Sequence, residues 1–148
     1  MSSTLLTTSV SRLILAPTMV TAVAFVVKGY ASAGDGFSAG VVAGTAVVVQ
    51  FMAVGPRELA NRFPLLRYAP WLTFGGLLLG LLTAFVPVAL GDPVLTHYPR
   101  PNEHVPHLGL LAMHTAILFD IAVFLIVFGF IVSLLGLIGG IGVEGETR

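Results

Sequence analysis

The sequence predicts an all-α integral membrane protein with four transmembrane helices. Of its 148 residues, 56% are hydrophobic and only 9% are charged, whereas an average soluble domain carries about 25% charged residues. Four long apolar segments recur along the chain, and none of them shows the two-residue alternation of a membrane barrel. Because lipid offers no partner for unpaired backbone groups, the helix is the conformation expected for each segment.

The apolar segments lie at about 13–29, 37–55, 69–90 and 111–138. A hydrocarbon core of about 30 Å requires roughly 20 apolar residues in a helix. The first segment is just long enough, and the fourth is longer than required. Residues 1–148 are therefore expected to form a single membrane domain, with a polar tail at 143–148.

The arginines and the single lysine are distributed unevenly between the two sides of the predicted bundle. Both termini and the middle loop share one side, which carries Arg12, Arg57, Arg62, Arg67 and Arg148, while the other side carries Lys28 and Arg100. Basic residues favour the cytoplasmic side of a membrane. The distribution predicts that both termini are cytoplasmic.

The composition argues against several classes of function. The seven basic and seven acidic residues cancel, so no basic surface is available for nucleic acid. The chain has no cysteine and no nucleotide-binding or nucleophile motif. We therefore expect neither an enzyme active site nor a cofactor or metal site, and the surroundings of the chain are the lipid bilayer.

Glycines recur every four residues in three of the segments. They are Gly36, Gly40 and Gly44 in the second, Gly76 and Gly80 in the third, and Gly136 and Gly140 in the fourth. Small residues at this spacing allow helices to pack closely in a membrane, and they also suit lateral contacts with other subunits. The alternative is that glycine is simply frequent in membrane helices.

Asp120 is the only acidic residue well inside an apolar segment. An ionised carboxylate there costs several kcal/mol unless it is paired, hydrated or protonated. Asp120 could therefore handle a proton or a cation, or it could be a structural carboxylate that accepts hydrogen bonds from a neighbouring helix. Lys28 could pair with Asp120, pair with Asp35, or extend to the lipid headgroups.

All four histidines, at positions 97, 104, 107 and 114, fall between the third and fourth segments. A pH sensor or zinc site is conceivable, but the spacing matches no metal motif, so a solvated external loop is the simpler interpretation. His114 stands apart because it precedes the segment that contains Asp120. Asp120, Lys28 and His114 are therefore the three candidates for an ion or proton path.

Three segments resemble a known family. Residues 29–40 read G-Y-A-S-A-G-D-G-F-S-A-G, similar to the G-H-N-x-P-G-G-G-F-x-G-G signature of the MnhB-type subunits of Mrp/Mnh cation/proton antiporters. The third apolar segment ends on G-D-P at 91–93, and residues 118–125 read L-F-D-I-A-V-F-L, both of which resemble that family. Tyr30, Ala33, Asp35 and Ala39 depart from its signature.

The resemblance implies a non-enzymatic subunit of a multisubunit Na⁺/H⁺ antiporter in a prokaryotic plasma membrane. Its partners would be the other antiporter subunits, and Na⁺ and H⁺ would be the transported ions. The family's large subunits carry the lysine/glutamate proton relays, so this chain is not expected to transport alone. By the resemblance, Asp120 would assist a cation or proton path, while Phe37 and the turn from Gly34 to Gly40 would set helix packing. Two alternatives are the equivalent subunit of a hydrogenase or complex-I-like pump and a purely structural scaffold.

Overall fold

The computed structural model describes residues 5–28, 34–98, 107–108, 111–112 and 115–140. The elements in chain order are α1 (Leu5–Lys28), α2 (Asp35–Val54), α3 (Pro56–Arg62), a 3₁₀ helix (Pro64–Tyr68), α4 (Ala69–Ala89), β1 (His107–Leu108), β2 (Leu111–Ala112) and α5 (Thr115–Gly139).

Four of the described helices are long and apolar enough to cross a membrane, as the composition predicts. Their membrane-compatible stretches are Thr7–Lys28, Asp35–Val54, Leu66–Ala89 and Thr115–Gly139. The last is the most apolar, with a mean hydropathy of 3.0. The all-helical fold class with four helices of membrane-spanning length and apolarity is thereby confirmed, while the side on which the termini lie stays a prediction.

Two helices start at positions other than the edges of the predicted spans. α1 begins at Leu5 rather than near residue 13, because one exposed guanidinium at Arg12 does not interrupt the backbone hydrogen bonds of a helix. α5 begins at Thr115 rather than at residue 111. Leu111–Ala112 instead pair antiparallel with His107–Leu108. These two apolar residues therefore belong to a short strand and not to the helix.

The four long helices pack as a row in the order α1, α2, α5, α4. α5 contacts both α2 and α4 extensively, α1 lies mainly on α2, and α1 does not reach α4 within the described residues. α5, the last helix among the described residues, therefore occupies an inner position, and the two outer helices leave broad apolar faces uncovered.

The glycines of α2 bring it against α5. A Cβ added at Gly36 would overlap the carbonyl group of Asp120, with 2.8 Å to its carbon; one at Gly40 would lie 2.8 Å from Val127 Cβ; and one at Gly44 would lie 2.6 Å from Ile131 Cδ1. At Gly36 the clash is with backbone atoms and at Gly40 with a Cβ, whereas at Gly44 the nearest atom is the end of the Ile131 side chain. The three glycines form the contact face of α2.

The contact between α4 and α5 depends on a different pair of glycines. A Cβ at Gly76 would lie 2.8 Å from the Ala122 carbonyl oxygen, and one at Gly129 would lie 2.7 Å from the Thr73 backbone nitrogen. Gly80 has only an ordinary contact with Ala122, at 3.6 Å, and Gly136 and Gly140 have no atom within 4 Å. The four-residue spacing thus marks a tight interface in α2 but not at the end of α5.

The segment between α2 and α4 folds back onto the end of the bundle. Gly55 turns the chain with φ 84°, and Pro56 occupies the first turn of α3, where its missing N–H costs no hydrogen bond. Leu59 of α3 is 2% exposed and packs with Val47 and Val132. This short helical segment therefore closes the core at the end opposite the turn before α2.

Candidate functional site

Asp120 lies at the contact between α5 and the N-terminus of α2. It sits five residues after the start of α5, or about 7.5 Å along the helix axis. Asp120 is 5% exposed. Its carboxylate accepts the Gly34 backbone N–H, at 3.1 Å to Oδ1 and 3.3 Å to Oδ2. The one acid well inside an apolar segment is therefore hydrogen-bonded to a helix end.

Gly34 provides this N–H because of its backbone conformation. It is the N-cap of α2 with φ 115° and ψ −3°, a region that residues with a Cβ adopt only with strain. No side chain caps the helix from its own N-cap position. The carboxylate of Asp120 instead satisfies a donor at the positive end of the α2 dipole, an interaction typically worth about 0.3–1 kcal/mol and up to about 2 when partly buried.

Lys28 pairs with Asp35, one of the three arrangements that the sequence leaves open. Its Nζ lies 3.4 Å from Asp35 Oδ2, and the two side chains are 62% and 20% exposed. The alternative Lys28–Asp120 ion pair is not formed in this arrangement. Asp35 occupies the first turn of α2, whereas the Asp120 carboxylate is already held by Gly34. The ammonium and the buried carboxylate therefore stay separate.

A cavity of about 340 Å³ borders the Asp120 side chain. It is lined by residues of α2, α5 and the segment after α4, namely Gly34, Phe37, Leu95, His97, Ala116, Phe119, Asp120 and Val123. Asp120 is the one carboxylate among them. Phe37, which the resemblance assigns to helix packing, is 59% exposed and forms part of the cavity wall.

The segment that brings Leu95 and His97 to this cavity is held at both ends. At the end of α4, the N–H of Gly91 donates to the Val88 carbonyl at 3.0 Å and the N–H of Asp92 to the Pro87 carbonyl at 2.9 Å. With φ 90° at Gly91, this is a Schellman cap. Gly91 and Asp92 of the G-D-P sequence thus end the helix.

The far end of the same segment is fixed to α5. The N–H of Tyr98 donates to Thr115 Oγ1 at 2.9 Å, and the N–H of Thr115 donates to the Tyr98 carbonyl at 3.0 Å. The Tyr98 hydroxyl also bonds the Asp92 carboxylate. The sequence predicts a solvated loop around His97, and His97 is exposed. These bonds nevertheless place His97 beside the cavity of Asp120. The spacing of the histidines in the sequence does not indicate this position.

The other histidines contribute little to the description of the site. His114, a candidate for the ion or proton path, lies outside the described residues, as does His104, and His107 is described by its backbone alone. Within the described parts of the chain, no group of three potential metal ligands comes together.

The arrangement combines two properties in one carboxylate. Asp120 holds the start of α2 through a hydrogen bond, and it borders a cavity from which a proton or a cation could reach its oxygens. No described cation lies within ion-pair distance of it. A carboxylate in this setting can bind a proton or a monovalent cation, and either event would act directly on the α2–α5 contact.

Comparison with known proteins shows what the whole chain is similar to. Residues 6–133 match the model of a domain described as related to the MnhB subunit of Na⁺/H⁺ antiporters. The corresponding Na⁺/H⁺ antiporter subunit of Alkalihalophilus pseudofirmus is 28% identical over 107 residues, which are 72% of each chain. That of Bacillus subtilis is 29% identical over 112 residues, 76% of each chain. A Staphylococcus haemolyticus protein named as a putative antiporter subunit, mnhB2, is 33% identical over 113 residues, 76% of this chain and 78% of its own.

Proposed function

The chain belongs to the MnhB family of Na⁺/H⁺ antiporter subunits, and we propose that it is a membrane subunit of a multisubunit antiporter that exchanges Na⁺ for H⁺. The family match covers residues 6–133, which include all four long helices almost to the end of α5. We place the complex in the plasma membrane, with both termini of this subunit in the cytoplasm and the other antiporter subunits as its partners.

The observation that carries a transport role for this chain is the position of Asp120. A buried carboxylate beside a cavity, without a paired cation in the described residues, is rare in a membrane helix and marks a candidate ion or proton pathway. One such group cannot form a full relay across the bilayer. We therefore assign the chain a contributing role within the complex, without enzymatic activity of its own.

A structural role for Asp120 is supported by a separate observation, its hydrogen bond to Gly34. If this bond is the whole function of the carboxylate, its loss disturbs the α2–α5 contact and the assembly of the complex rather than ion exchange. Antiport by assembled complexes carrying Asp120→Asn separates the two roles.

The proposed function is tested by removing the chain from the complete operon. Everted membrane vesicles are prepared from antiporter-deficient cells that express the operon with this gene intact, deleted, or deleted and supplied from a second plasmid. Na⁺-dependent dissipation of the pH gradient should be lost on deletion and restored by the second plasmid. An affinity tag on this chain should co-purify the antiporter subunits. Undiminished antiport without the chain, or co-purification of hydrogenase subunits instead, would overturn the proposal.

A further inference from the structure

A second cavity lies at the opposite end of the bundle, beside the segment that connects α2 and α4. It measures about 220 Å³ and its lining is mostly apolar. Its walls include Phe51 near the end of α2, Leu66 of the 3₁₀ helix, and Leu135 and Gly136 near the end of α5. We call this space the loop-side cavity. The apolar lining disfavours water, which needs polar partners when it is buried.

Arg67 is the one charged residue that lines the loop-side cavity. Its side chain is exposed, and its Nη2 donates to the Tyr68 hydroxyl at 2.6 Å while the guanidinium carbon lies 4.8 Å from the centre of the Tyr68 ring. A guanidinium has five N–H donors in a planar fork that suits phosphate. The bond to Tyr68 uses one nitrogen and holds the charged group at the edge of an apolar space.

The surroundings of Arg67 have the character of a membrane interface. The segment from Pro56 to Tyr68 contains three arginines and one glutamate, a net charge of +2. Tyr68 is 45% exposed and Trp71 is 75% exposed, and such aromatic residues concentrate at the level of the lipid headgroups. Basic residues next to membrane helices attract anionic lipids.

We propose that the loop-side cavity binds one acyl chain of an anionic phospholipid whose phosphate is held by Arg67. The apolar walls fit the hydrocarbon chain, and the charge at the rim fits the headgroup. This lipid would belong to the structure of the subunit, filling space beside the core residues Val47, Leu59 and Val132. The inference is independent of the antiport activity proposed above.

Gly136 offers a position in the cavity wall where a side chain can be added without a steric clash. It lines the cavity, and a Cβ built on it meets no atom within 4 Å. The complete complex is purified with Gly136→Leu, and its phosphatidylglycerol and phosphatidylethanolamine are counted by mass spectrometry after extraction. We expect one phosphatidylglycerol fewer per copy of the chain. Gly75→Leu is the matched control, since Gly75 is equally open but lies away from the cavity, and it should retain the wild-type lipid count.

Arg67→Gln tests the headgroup. The variant should bind phosphatidylglycerol about tenfold more weakly in delipidated complex, because a charge-assisted hydrogen bond contributes roughly 1.5 kcal/mol or more. Arg57→Gln, on the same segment but outside the cavity lining, should bind as the unaltered chain does. Inorganic phosphate should not compete, because the acyl chain is part of the ligand. Equal lipid counts for Gly136→Leu and Gly75→Leu, equal binding of the two phospholipids, or a cross-link from position 136 to another subunit would each overturn the proposal.

Discussion

At the scale of single residues, the Asp120 carboxylate and the Gly34 amide connect the two inner helices. The hydrogen bonds of 3.1 and 3.3 Å join positions that lie 86 residues apart in the sequence. A buried ionised acid costs several kcal/mol in a membrane, and the donor at the α2 N-terminus offsets part of that cost. The stability of the site therefore depends on the backbone conformation of Gly34 as much as on Asp120 itself.

Gly34→Ala is expected to weaken the start of α2 through backbone strain alone. At φ 115° a Cβ would meet no atom within 4 Å, so crowding is not the cause; the left-handed backbone costs an L-residue roughly 1–2 kcal/mol. The purified complex should unfold at a lower temperature than with Gly75→Ala, which also adds a Cβ in open space but in a helix. Equal melting temperatures for the two variants would contradict this explanation.

Lys28→Gln should change little. The ion pair with Asp35 has a distance of 3.4 Å, and its lysine side chain is 62% exposed, so it is expected to contribute less than about 1 kcal/mol. Complexes with the variant should assemble to wild-type levels on native gels. A clear loss of assembled complex would contradict this expectation and mean that Lys28 neutralises the buried site after all.

At the scale of the helices, glycine spacing determines which pairs approach closely. Gly36, Gly40 and Gly44 form the α2 face against α5, and Gly76 with Gly129 allows α4 to approach α5 from the other side. The inner helix α5 thus has tight contacts on both flanks. In lipid, where no hydrophobic force drives helices together, such contacts are the main source of association.

Gly36→Ala is the sharpest test of this packing. The added Cβ would overlap the backbone carbonyl of Asp120, so α2 must move away from α5 and the Gly34–Asp120 bond must lengthen. We expect reduced levels of assembled complex on native gels. Gly80→Ala is the matched control, because its Cβ would have an ordinary 3.6 Å contact with Ala122. Wild-type assembly with Gly36→Ala would show that the helices are less closely packed than described.

Sequence patterns predict the elements better than they predict the contacts between them. The four spans follow from continuous apolarity, but the inner position of α5 depends on contacts distant in sequence, which no local pattern contains. Of the uncharged polar side chains Gln50, Thr45, Thr73, Thr83 and Ser133 in the described helices, Gln50 bonds across helices, donating to the Ser11 carbonyl. Thr45, Thr73, Thr83 and Ser133 bond to carbonyls four residues earlier in their own helices, a local alternative that is always available to hydroxyl side chains.

The site shows the same division between local and distant information. Asp120 is recognisable because it is the only acid deep in an apolar segment, and Gly34 because it lies in a glycine-rich turn. Their mutual hydrogen bond and the approach of His97 are not recognisable, since they depend on how three separate segments meet. The sequence leaves the pairing of Lys28 open for a related reason: Asp35 and Asp120 both fall at the same end of the bundle, and only their distances decide between them.

At the scale of the whole molecule, the row of helices separates two chemically different ends. One end holds Lys28, Asp35, Asp120 and the cavity beside His97, and the other holds the basic segment from Pro56 to Tyr68 with the loop-side cavity. Uncovered apolar faces on α1 and α4 lie between them. This division suits a subunit that is embedded in lipid and among partners, with its carboxylate site at one end and its basic segment at the other.

The proposed orientation can be measured directly because the chain has no cysteine. Val94 lies in the exposed segment after α4, and Asn61 lies on the exposed side of α3. A single cysteine is introduced at each position, as Val94→Cys and Asn61→Cys. With both termini cytoplasmic, a membrane-impermeant maleimide should label Val94→Cys in intact cells and Asn61→Cys only in everted vesicles. The reverse pattern would invert the predicted topology.

The central claim is that the Asp120 carboxylate takes part in ion exchange in addition to holding α2. Asp120→Asn keeps an oxygen that can accept the Gly34 N–H but removes the ionisable group. Antiport in everted vesicles, normalised to assembled complex, should fall at least tenfold. Asp35→Asn, which removes a carboxylate from the same helix end but away from the cavity lining, should retain most of the activity. Full antiport by normally assembled Asp120→Asn complexes would contradict the claim and leave Asp120 with a structural role only.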